Sequence, residues 1–447
     1  MRMLLFVAFR NLLQSRRRSL LLGVALGMVS LLLVLMLALS QGLHDNIFES
    51  AMVLSSGHVN IGGFYKAKPQ DAFPLVTDCK KIRKLVHDEV KGVARIIDRG
   101  RGWAKLISES SSMQTGIHGI DVDEEAALLA TLQPALEREY VDGGRAVVLG
   151  DLKRLREPNT LMLFAGQAKR LRVGVGDSLT LTAESFGGVT NTVDLQIVAV
   201  MKDVGFMSNW SVFVPKKVLT ELYQLADDTT GWILLYLDNL DERAAVITRL
   251  RAVLTQAGYT FMEPESNPFW MKFETVAGED WVGQKIDLTT WEDETSFLKF
   301  VTQALDSISF FLIAILLVII VIGIMNAMWI AVRERTQEIG TLRAIGMQRR
   351  RVWVLFELEA MLLGLAATTV GTVAGVLLAR AVNGLEIEVG IEALRVILMS
   401  DTLRLSVTFG QLVGPIIVFT LVAMLAALWP AVRASRLPPV TAIQRLL

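Results

Sequence analysis

The sequence predicts a membrane α-helical protein with four transmembrane helices and a large α+β periplasmic domain inserted between helices 1 and 2. Of its 447 residues, 52% are hydrophobic and 20% are charged, which is too apolar for an ordinary soluble enzyme and too polar for a chain buried throughout in lipid. Four apolar stretches are each long enough to cross a hydrocarbon layer of about 30 Å. A polar block of roughly 260 residues, large enough for its own core, separates the first stretch from the second.

These stretches and the segments between them give the predicted organisation. The regions are 1–18, a cytoplasmic interfacial helix; 19–43, transmembrane helix 1; 44–306, the α+β domain; 307–332, transmembrane helix 2; 333–353, a cytoplasmic loop; 354–380, transmembrane helix 3; 381–404, a short outer loop; 405–432, transmembrane helix 4; and 433–447, a cytoplasmic tail.

Arginines set the predicted orientation. They precede the first span, fill the 333–353 loop and follow the fourth span, and the positive-inside rule assigns such segments to the cytoplasm. The 381–404 loop is richer in acid than in base, with Glu386, Glu388, Glu392 and Asp401 against Arg395 and Arg404. We therefore expect both termini to be cytoplasmic and the large domain to lie outside the cell membrane.

The N-terminal apolar run allows two interpretations. Arg16, Arg17 and Arg18 precede it, as in a cleaved signal peptide, but the run exceeds the roughly 7 to 15 residues of a signal-peptide core. An uncleaved anchor is therefore favoured. Within residues 1–14, apolar side chains recur on one helical face and Arg10 lies on another, which predicts a helix lying along the membrane surface.

The polar block alternates predicted strands with predicted helices. After a turn, Leu179 and Leu181 alternate with threonines, as in a strand with one buried face. Further strands are predicted at 194–200 and 211–214, and helices at 79–90, 216–224 and 241–256. Cys79 has no second cysteine to pair with, so we expect it to pack as a small apolar residue in a domain without disulfides.

No residue pattern indicates a catalytic, cofactor or metal site. The histidines at 44, 58, 87 and 118 are dispersed and lack the spacing of metal ligands. Gly174-x-Gly176 lacks the third glycine and the following helix of a dinucleotide site, and no phosphate-binding Gly-Lys-Ser/Thr occurs. We predict a chain that is not itself an enzyme, holds no cofactor or metal, and has no nucleic-acid partner.

The loop after the second span has the pattern of a docking helix. From Gln337, apolar Ile339, Leu342 and Ile345 recur every third residue among charged neighbours until Gly346 ends the helix. Such a short apolar ridge needs a partner surface, although a helix lying on lipid headgroups is the alternative. The basic residues of this loop are all arginine, which suits bidentate pairing with carboxylate or phosphate.

Small residues mark where the spans approach one another. Gly23 and Gly27 are four apart in the first span, and Gly371 and Gly375 continue a similar series in the third. Such series let helix backbones come close, either within one chain or between two copies, and both readings stay open. Glu359, at the entrance of the third span, is expected to pair with a nearby arginine rather than face lipid.

Three segments carry a resemblance to a known family: VRERTQEIGTLRAIG at 332–346, EAMLLG at 359–364 and WPAVRASRLPPVTAI at 429–443. They resemble the FtsX-like permease domain of MacB-type ABC transporters, as does the order of one span, a large domain and three spans. VVLG at 147–150 and LRVGVGD at 171–177 are similar to that family's periplasmic core, which would lie within 44–306.

The resemblance implies a permease of the bacterial inner membrane that works with other chains. The partners would be two copies of a cytoplasmic ABC ATPase, which bind ATP-Mg, and a second permease that is either a copy or a paralogue. A periplasmic adaptor or lipoprotein carrier is a further possible partner. The ATPase-coupling residues would be Glu338, Ile339, Gly340, Thr341, Leu342, Arg343, Ala344, Ile345 and Gly346.

With the ATPase on a separate chain, the arrangement is similar to the lipoprotein-releasing LolC/LolE permeases. ATP-driven motion would pass through the helices to the outer domain and move a hydrophobic cargo such as a lipoprotein, lipid or peptide. The alternatives are an FtsX-type regulator of a cell-wall hydrolase, which transports nothing, and a stand-alone receptor. The aromatic residues of 269–271, Trp281 and Trp291 would either hold cargo or anchor the chain at the membrane interface.

Overall fold

The computed structural model describes residues 2–54, 56–185, 187–204, 206–385, 387, 389 and 402–438. The acidic residues predicted for the 381–404 loop, its Arg395, and residues 439–447 of the predicted tail lie outside these described residues. Within them the chain forms two compact units. The helical unit takes the described residues of 1–45, 301–388 and 402–447, and the α+β unit takes those of 46–300 and 389–401.

The helices run in chain order as α1 (Arg2–Gln14), α2 (Arg16–Leu54), α3 (Cys79–Glu89), α4 (Ala126–Thr131), α5 (Glu137–Tyr140), α6 (Ala165–Leu171), α7 (Lys216–Tyr223), α8 (Arg243–Gln256), α9 (Phe273–Gly278), α10 (Trp291–Glu294), α11 (Lys299–Glu334), α12 (Thr336–Ala344), α13 (Arg349–Gly384) and α14 (Phe409–Ser435). Short 3-10 helices occur at Leu152–Arg156, Phe206–Trp210, Leu240–Glu242, Phe269–Met271 and Ser296–Leu298.

The strands are β1 (Val59–Lys66), β2 (Val93–Ile107), β3 (Ser112–Ile120), β4 (Thr160–Phe164), β5 (Ser178–Glu184), β6 (Thr190–Met201), β7 (Ser211–Pro215), β8 (Trp232–Leu237), β9 (Thr260–Phe261) and β10 (Gly283–Thr290). All belong to the α+β unit, which follows the first membrane helix, so the predicted fold class is confirmed.

In the part of the chain that the structure describes, four helices are long and apolar enough to cross a membrane, in the order that the sequence predicts. The candidate spans are Ser19–Glu49, Ser296–Glu334, Arg349–Gly384 and Phe409–Ser435. The first membrane-spanning helix, α2, continues to Leu54, beyond the predicted end at residue 43. The residues after position 43 include neither glycine nor proline, the two residues that most strongly interrupt a helix. The helix therefore continues through this polar segment.

One apolar cluster joins the long helices of the helical unit. It includes Leu26 of α2, Ile324 of α11, Phe356 of α13 and Phe419 of α14, each at most 3% exposed. Ile339 of the short α12 belongs to the same cluster. The core of this unit therefore reaches into the segment between α11 and α13.

The α+β unit is built on one ten-stranded sheet in the order β3-β7-β4-β6-β5-β2-β8-β1-β10-β9. The long β2 links its two halves, because its first part pairs with β8 and its second part pairs with β3 and β5. One apolar core lies against β3 to β7 with α6 and α7, and a second lies against β1, β8 and β10 with α3 and α8.

The local predictions for this unit are confirmed. Leu179 and Leu181 are at most 1% exposed on β5, and the predicted strands and helices appear as β6, β7, α3, α7 and α8. Cys79 begins α3 as a buried free cysteine, and this burial raises the pKa of its thiol to about 11. A thiol with that pKa is neutral and packs as an apolar group.

Buried ion pairs within the α+β unit were not predicted. Arg99 and Glu125 pair with both side chains 1% exposed. Lys272 Nζ lies 2.6 Å from Asp287 Oδ2, with the lysine side chain fully buried. The first pair joins residues 26 positions apart, and neither pair follows a local pattern in the sequence.

Candidate functional site

The segment between α11 and α13 forms a helical elbow, which we define as residues 334–349. The chain leaves α11 at Glu334, turns at Arg335 and enters α12. After Ala344, Gly346 adopts φ of +103°, a left-handed conformation that favours glycine, and the Met347 N–H donates to Leu342 O at 3.0 Å. The elbow is therefore a separate helix with its own C-terminal closure, not an extension of the membrane span.

Arg335 fixes the first corner of the elbow. Its Nη1 lies 2.7 Å from Oε1 of Glu359 on α13, and its Nη2 donates to the backbone oxygen of Asn11 on α1 at 3.0 Å. The Asn11 amide donates to the same Glu359 oxygen at 2.5 Å. Glu359 is 3% exposed, and the expected pairing with an arginine is confirmed. Three elements thus meet on one buried carboxylate.

Arg343 fixes the other end of α12. Its Nη1 donates to the backbone oxygens of Ser435 and Leu437 at 2.9 and 3.1 Å. These carbonyls lie at the C-terminal end of α14, where helix carbonyls lack partners within the helix and attract positive charge. The elbow is therefore tied to α14 as well as to α1 and α13.

The prediction that Ile339, Leu342 and Ile345 form one exposed apolar ridge is wrong for Ile339. Ile339 is 4% exposed and packs in the core, Leu342 is 37% exposed and Ile345 is 83% exposed. A step of three residues turns about 300° around a helix, so each step falls about 60° short of a full turn and the ridge winds around the axis. Only Leu342 and Ile345 remain for a partner.

The other predicted coupling residues divide in the same way. Gly340 is buried, whereas Thr341 is exposed and its hydroxyl donates to Gln337 O at 2.6 Å. We define the elbow surface as the exposed members of the predicted set: Glu338, Thr341, Leu342, Ala344, Ile345 and Gly346.

The predicted glycines lie at a contact within the chain. A Cβ on Gly371 would lie 2.1 Å from the backbone oxygen of Gly27, so α2 and α13 touch there. A Cβ on Gly23 would lie 3.9 Å from Ala367, and one on Gly375 would lie 3.1 Å from Val34. The structure thus places all four glycines between α2 and α13 of one chain.

A hydroxyl contact next to these glycines was missed. Ser30 Oγ lies 3.0 Å from Thr372 Oγ1 and 3.2 Å from Thr368 O, and all three residues are buried. The signal for it was present, since Ser30 follows Gly27 by three residues and so lies on the same helical face.

The aromatic residues before α11 mostly pack within the α+β unit. The Arg101 guanidinium lies 4.0 Å from the ring centroid of Phe269, Lys66 Nζ lies 4.9 Å from that of Trp281, and Trp291 meets Phe48 edge to face. These rings are therefore part of the domain's own packing. Trp270 and Met271 are 46% and 43% exposed and remain open to a ligand or to lipid.

Among the described residues, no group of three or more His, Cys, Asp or Glu side chains is placed to hold a metal ion. In the helical unit, an exposed apolar pair on a short helix is instead connected by partly buried polar contacts to three other helices.

Two family models match the chain. The MacB-like periplasmic core domain matches residues 20–253, which is more than half of the chain, and the FtsX-like permease C-terminal domain matches residues 310–439. The second match contains the whole elbow. Together the two matches cover parts of both units.

Similar curated proteins include permeases. The chain is 22% identical to an uncharacterized ABC transporter permease of Methanocaldococcus jannaschii, over 98% of this chain and 96% of the relative. It is 30% identical to the macrolide export ATP-binding/permease protein MacB of Mannheimia succiniciproducens, over 35% of this chain and 21% of that relative. The chain thus spans nearly all of the archaeal permease and about a fifth of MacB.

Two solved domains align over most of their own length. The periplasmic region of MacB from Actinobacillus actinomycetemcomitans has a TM-score of 0.32 and 10% identity, covering 57% of this chain and 97% of its own. The extracellular domain of the transporter YknZ has a TM-score of 0.29 and 14% identity, and the alignment covers 44% of this chain and 95% of the YknZ domain.

Proposed function

The chain belongs to the family with a MacB-like periplasmic core domain and an FtsX-like permease C-terminal domain, and we propose that it is the membrane subunit of an ABC transporter driven by a separate cytoplasmic ATPase. In this proposal the elbow surface docks on the ATPase. ATP binding and hydrolysis there move the elbow, and the helices carry that motion to the α+β unit.

The observation that carries the proposal is the way the elbow is held. Arg335 and Arg343 connect its two ends to α1, α13 and α14, while Leu342 and Ile345 stay exposed. A short helix without bonds to its neighbouring helices could shift without moving them. This one is bonded at both ends, so a push on its surface is passed to the helices behind it.

The route outward runs through α2 and α11. These are the chain segments that connect the two units in sequence, with α2 ending at Leu54 and α11 beginning at Lys299. Within the helical unit the two are joined near that end, where Ser40 Oγ donates to Asp306 Oδ1 at 3.1 Å. We propose that both move together.

Two ATPase copies require two permease chains, so we propose a dimer with a second copy or a paralogue. The four glycines are already occupied by contacts within the chain. The exposed apolar side chains of α11, among them Phe310, Phe311 and Ile315 at 55 to 67% exposure, are available for the partner or for lipid. The cell membrane orientation with both termini cytoplasmic is part of the same proposal.

We propose a hydrophobic cargo, such as a lipoprotein, lipid or peptide, taken up at the α+β unit with an adaptor or carrier as a further partner. Relatives named as macrolide exporters support an amphiphilic substrate. The exposed Trp270 and Met271 offer an apolar contact on the outer side. A regulator of a cell-wall hydrolase is the alternative from the same family.

Reconstitution tests this proposal. The chain would be co-expressed and purified with candidate ABC ATPases of its own organism, placed in nanodiscs, and assayed for ATP hydrolysis with and without a lipoprotein or a macrolide. We expect the complex to form and a cargo to stimulate hydrolysis. If no ATPase co-purifies, the proposal fails. If the complex forms but is stimulated only by a hydrolase bound to the α+β unit, the regulator is correct instead.

A further inference from the structure

A carboxylate sits in an apolar groove on the side of the helical unit, away from the elbow contacts. The groove lies between α13 and α14, has a volume of about 350 Å³, and is lined by Trp353, Val354, Glu357, Leu358, Leu421, Met424, Leu425 and Leu428. That volume is within the range of small-molecule pockets. Glu357 is its one charged lining residue.

Glu357 is poorly satisfied by the chain itself. It is 7% exposed, and within the described residues its Oε1 has no hydrogen-bond donor. Glu359, two residues on, shows the contrast, since it is bonded to Arg335 and Asn11. A buried carboxylate without a cationic partner is costly, and within a membrane helix such a residue commonly marks a binding site.

A second polar group faces the same groove. Trp353 precedes Glu357 by four residues and therefore lies on the same face of α13. Its indole N–H is buried beside the Glu357 carboxylate and interacts with it, although it makes no hydrogen bond of normal geometry among the described residues. The groove thus presents a buried carboxylate with an indole N–H beside it, in otherwise apolar walls.

The groove opens to the surroundings of the helix pair. Leu421 and Leu425 are 53% and 65% exposed, so the outer wall faces the bilayer rather than the core of the unit. Glu357 lies six residues after Arg351, or about 9 Å along α13, which places it close to the level of lipid headgroups. An occupant would therefore enter from the lipid.

We propose that this groove binds a phospholipid with a primary ammonium headgroup, of the phosphatidylethanolamine type. The ammonium donates to Glu357 Oε1, the Trp353 indole stays beside the same carboxylate, and an acyl chain lies along Leu421, Met424 and Leu425. An anionic lipid would place like charges together, and a choline headgroup has charge but no N–H to donate. This inference depends on the helices lying in a membrane and not on the ATPase.

Native mass spectrometry of the full-length protein tests the site, with phosphatidylethanolamine, phosphatidylcholine and phosphatidylglycerol of identical acyl chains as probes. We expect the ethanolamine lipid to be retained about fivefold better than the glycerol lipid, with the choline lipid between them. Glu357→Gln keeps the shape and removes the charge, and it should abolish this preference. Glu334→Gln, the same change at an exposed position of α11, should leave it intact.

Equal retention of the three lipids by the unaltered protein would overturn the proposal, as would an unchanged preference in Glu357→Gln. If Glu357→Gln instead separates a permease dimer while no lipid preference exists, the groove holds a second chain and the proposal is wrong. Should that variant not purify, the comparison of the three lipids on the unaltered protein decides, because it needs no substitution.

Discussion

Arg335 and Glu359 form a buried ion pair, 2.7 Å between Nη1 and Oε1, that joins the start of the elbow to the third membrane helix. The pair is separated by 24 residues, and Asn11 from the N-terminal helix bonds to both members. Charged hydrogen bonds of this kind are among the stronger polar contacts in proteins. They make the elbow part of the helical unit rather than a free loop.

Removing one partner of this pair should destabilise the helical unit. Arg335→Ala leaves Glu359 buried without its cation, a change that typically costs about 3 to 5 kcal/mol. We expect a clear fall in the thermal unfolding midpoint of the detergent-solubilised protein. Arg333→Ala, at an exposed position two residues earlier, is the control and should have little effect. A double change, Arg335→Ala with Glu359→Gln, should recover part of the loss, and no recovery would argue against the pairing.

The contact between α2 and α13 predicts that a larger residue at Gly371 lowers the stability of the helical unit. A methyl group there would lie 2.1 Å from Gly27 O, so the two helices must separate. We expect Gly371→Ala to cost about 1 to 3 kcal/mol, as overpacking usually does. Gly323→Ala on α11 meets nothing within 4 Å and is the matched control. Equal stability of the two variants would show that α2 and α13 do not pack at this point.

The α+β unit should lose stability as the pH rises through neutrality. Glu294 is 5% exposed and accepts a hydrogen bond from Thr289 at 2.9 Å, and its burial raises the pKa from 4.5 to about 7, with the nearby Arg101 opposing the shift. The folded state therefore holds this proton more tightly than the unfolded state. Its contribution is fully present below about pH 4.5 and is lost as the pH rises through 7.

Glu294→Gln should remove this dependence. A shift from 4.5 to about 7 corresponds to a contribution on the order of 3 kcal/mol. Chemical unfolding of the full chain, followed by hydrogen exchange in β10, would be compared at pH 5 and pH 8. We expect the variant to lose less stability between these values than the unaltered protein. The exposed Glu89→Gln variant should behave like the unaltered protein. An equal change in unfolding free energy between pH 5 and pH 8 in all three proteins would show that Glu294 does not cause the pH dependence.

Local patterns predicted the spans, the strand at Leu179 and Leu181, and the helices of the α+β unit, because each depends on residues close together in the sequence. The pairing of Glu359 could also be expected, since a carboxylate at a span entrance needs a cation. The spacing of Ile339, Leu342 and Ile345 already implied that the three side chains do not share one helical face, but not which of them is buried. Contacts such as Arg99 with Glu125, or Gly27 with Gly371, depend on how distant segments meet, and no local pattern specifies that.

The central claim is that the elbow surface, and in particular Leu342, docks on an ATPase. Leu342 is 37% exposed on α12, so a charge there should leave the fold intact. The exposed Leu240→Glu, in the α+β unit, is the matched control, with Leu240 45% exposed. Both variants should insert in the membrane and show the unfolding midpoint of the unaltered protein.

The most direct measurement is the amount of ABC ATPase that co-purifies with each membrane-extracted variant. We expect Leu342→Glu to lose the ATPase by at least about tenfold, a difference of roughly 1.4 kcal/mol or more in binding free energy, while Leu240→Glu retains it. Retention of the ATPase by a correctly folded Leu342→Glu protein would contradict the account.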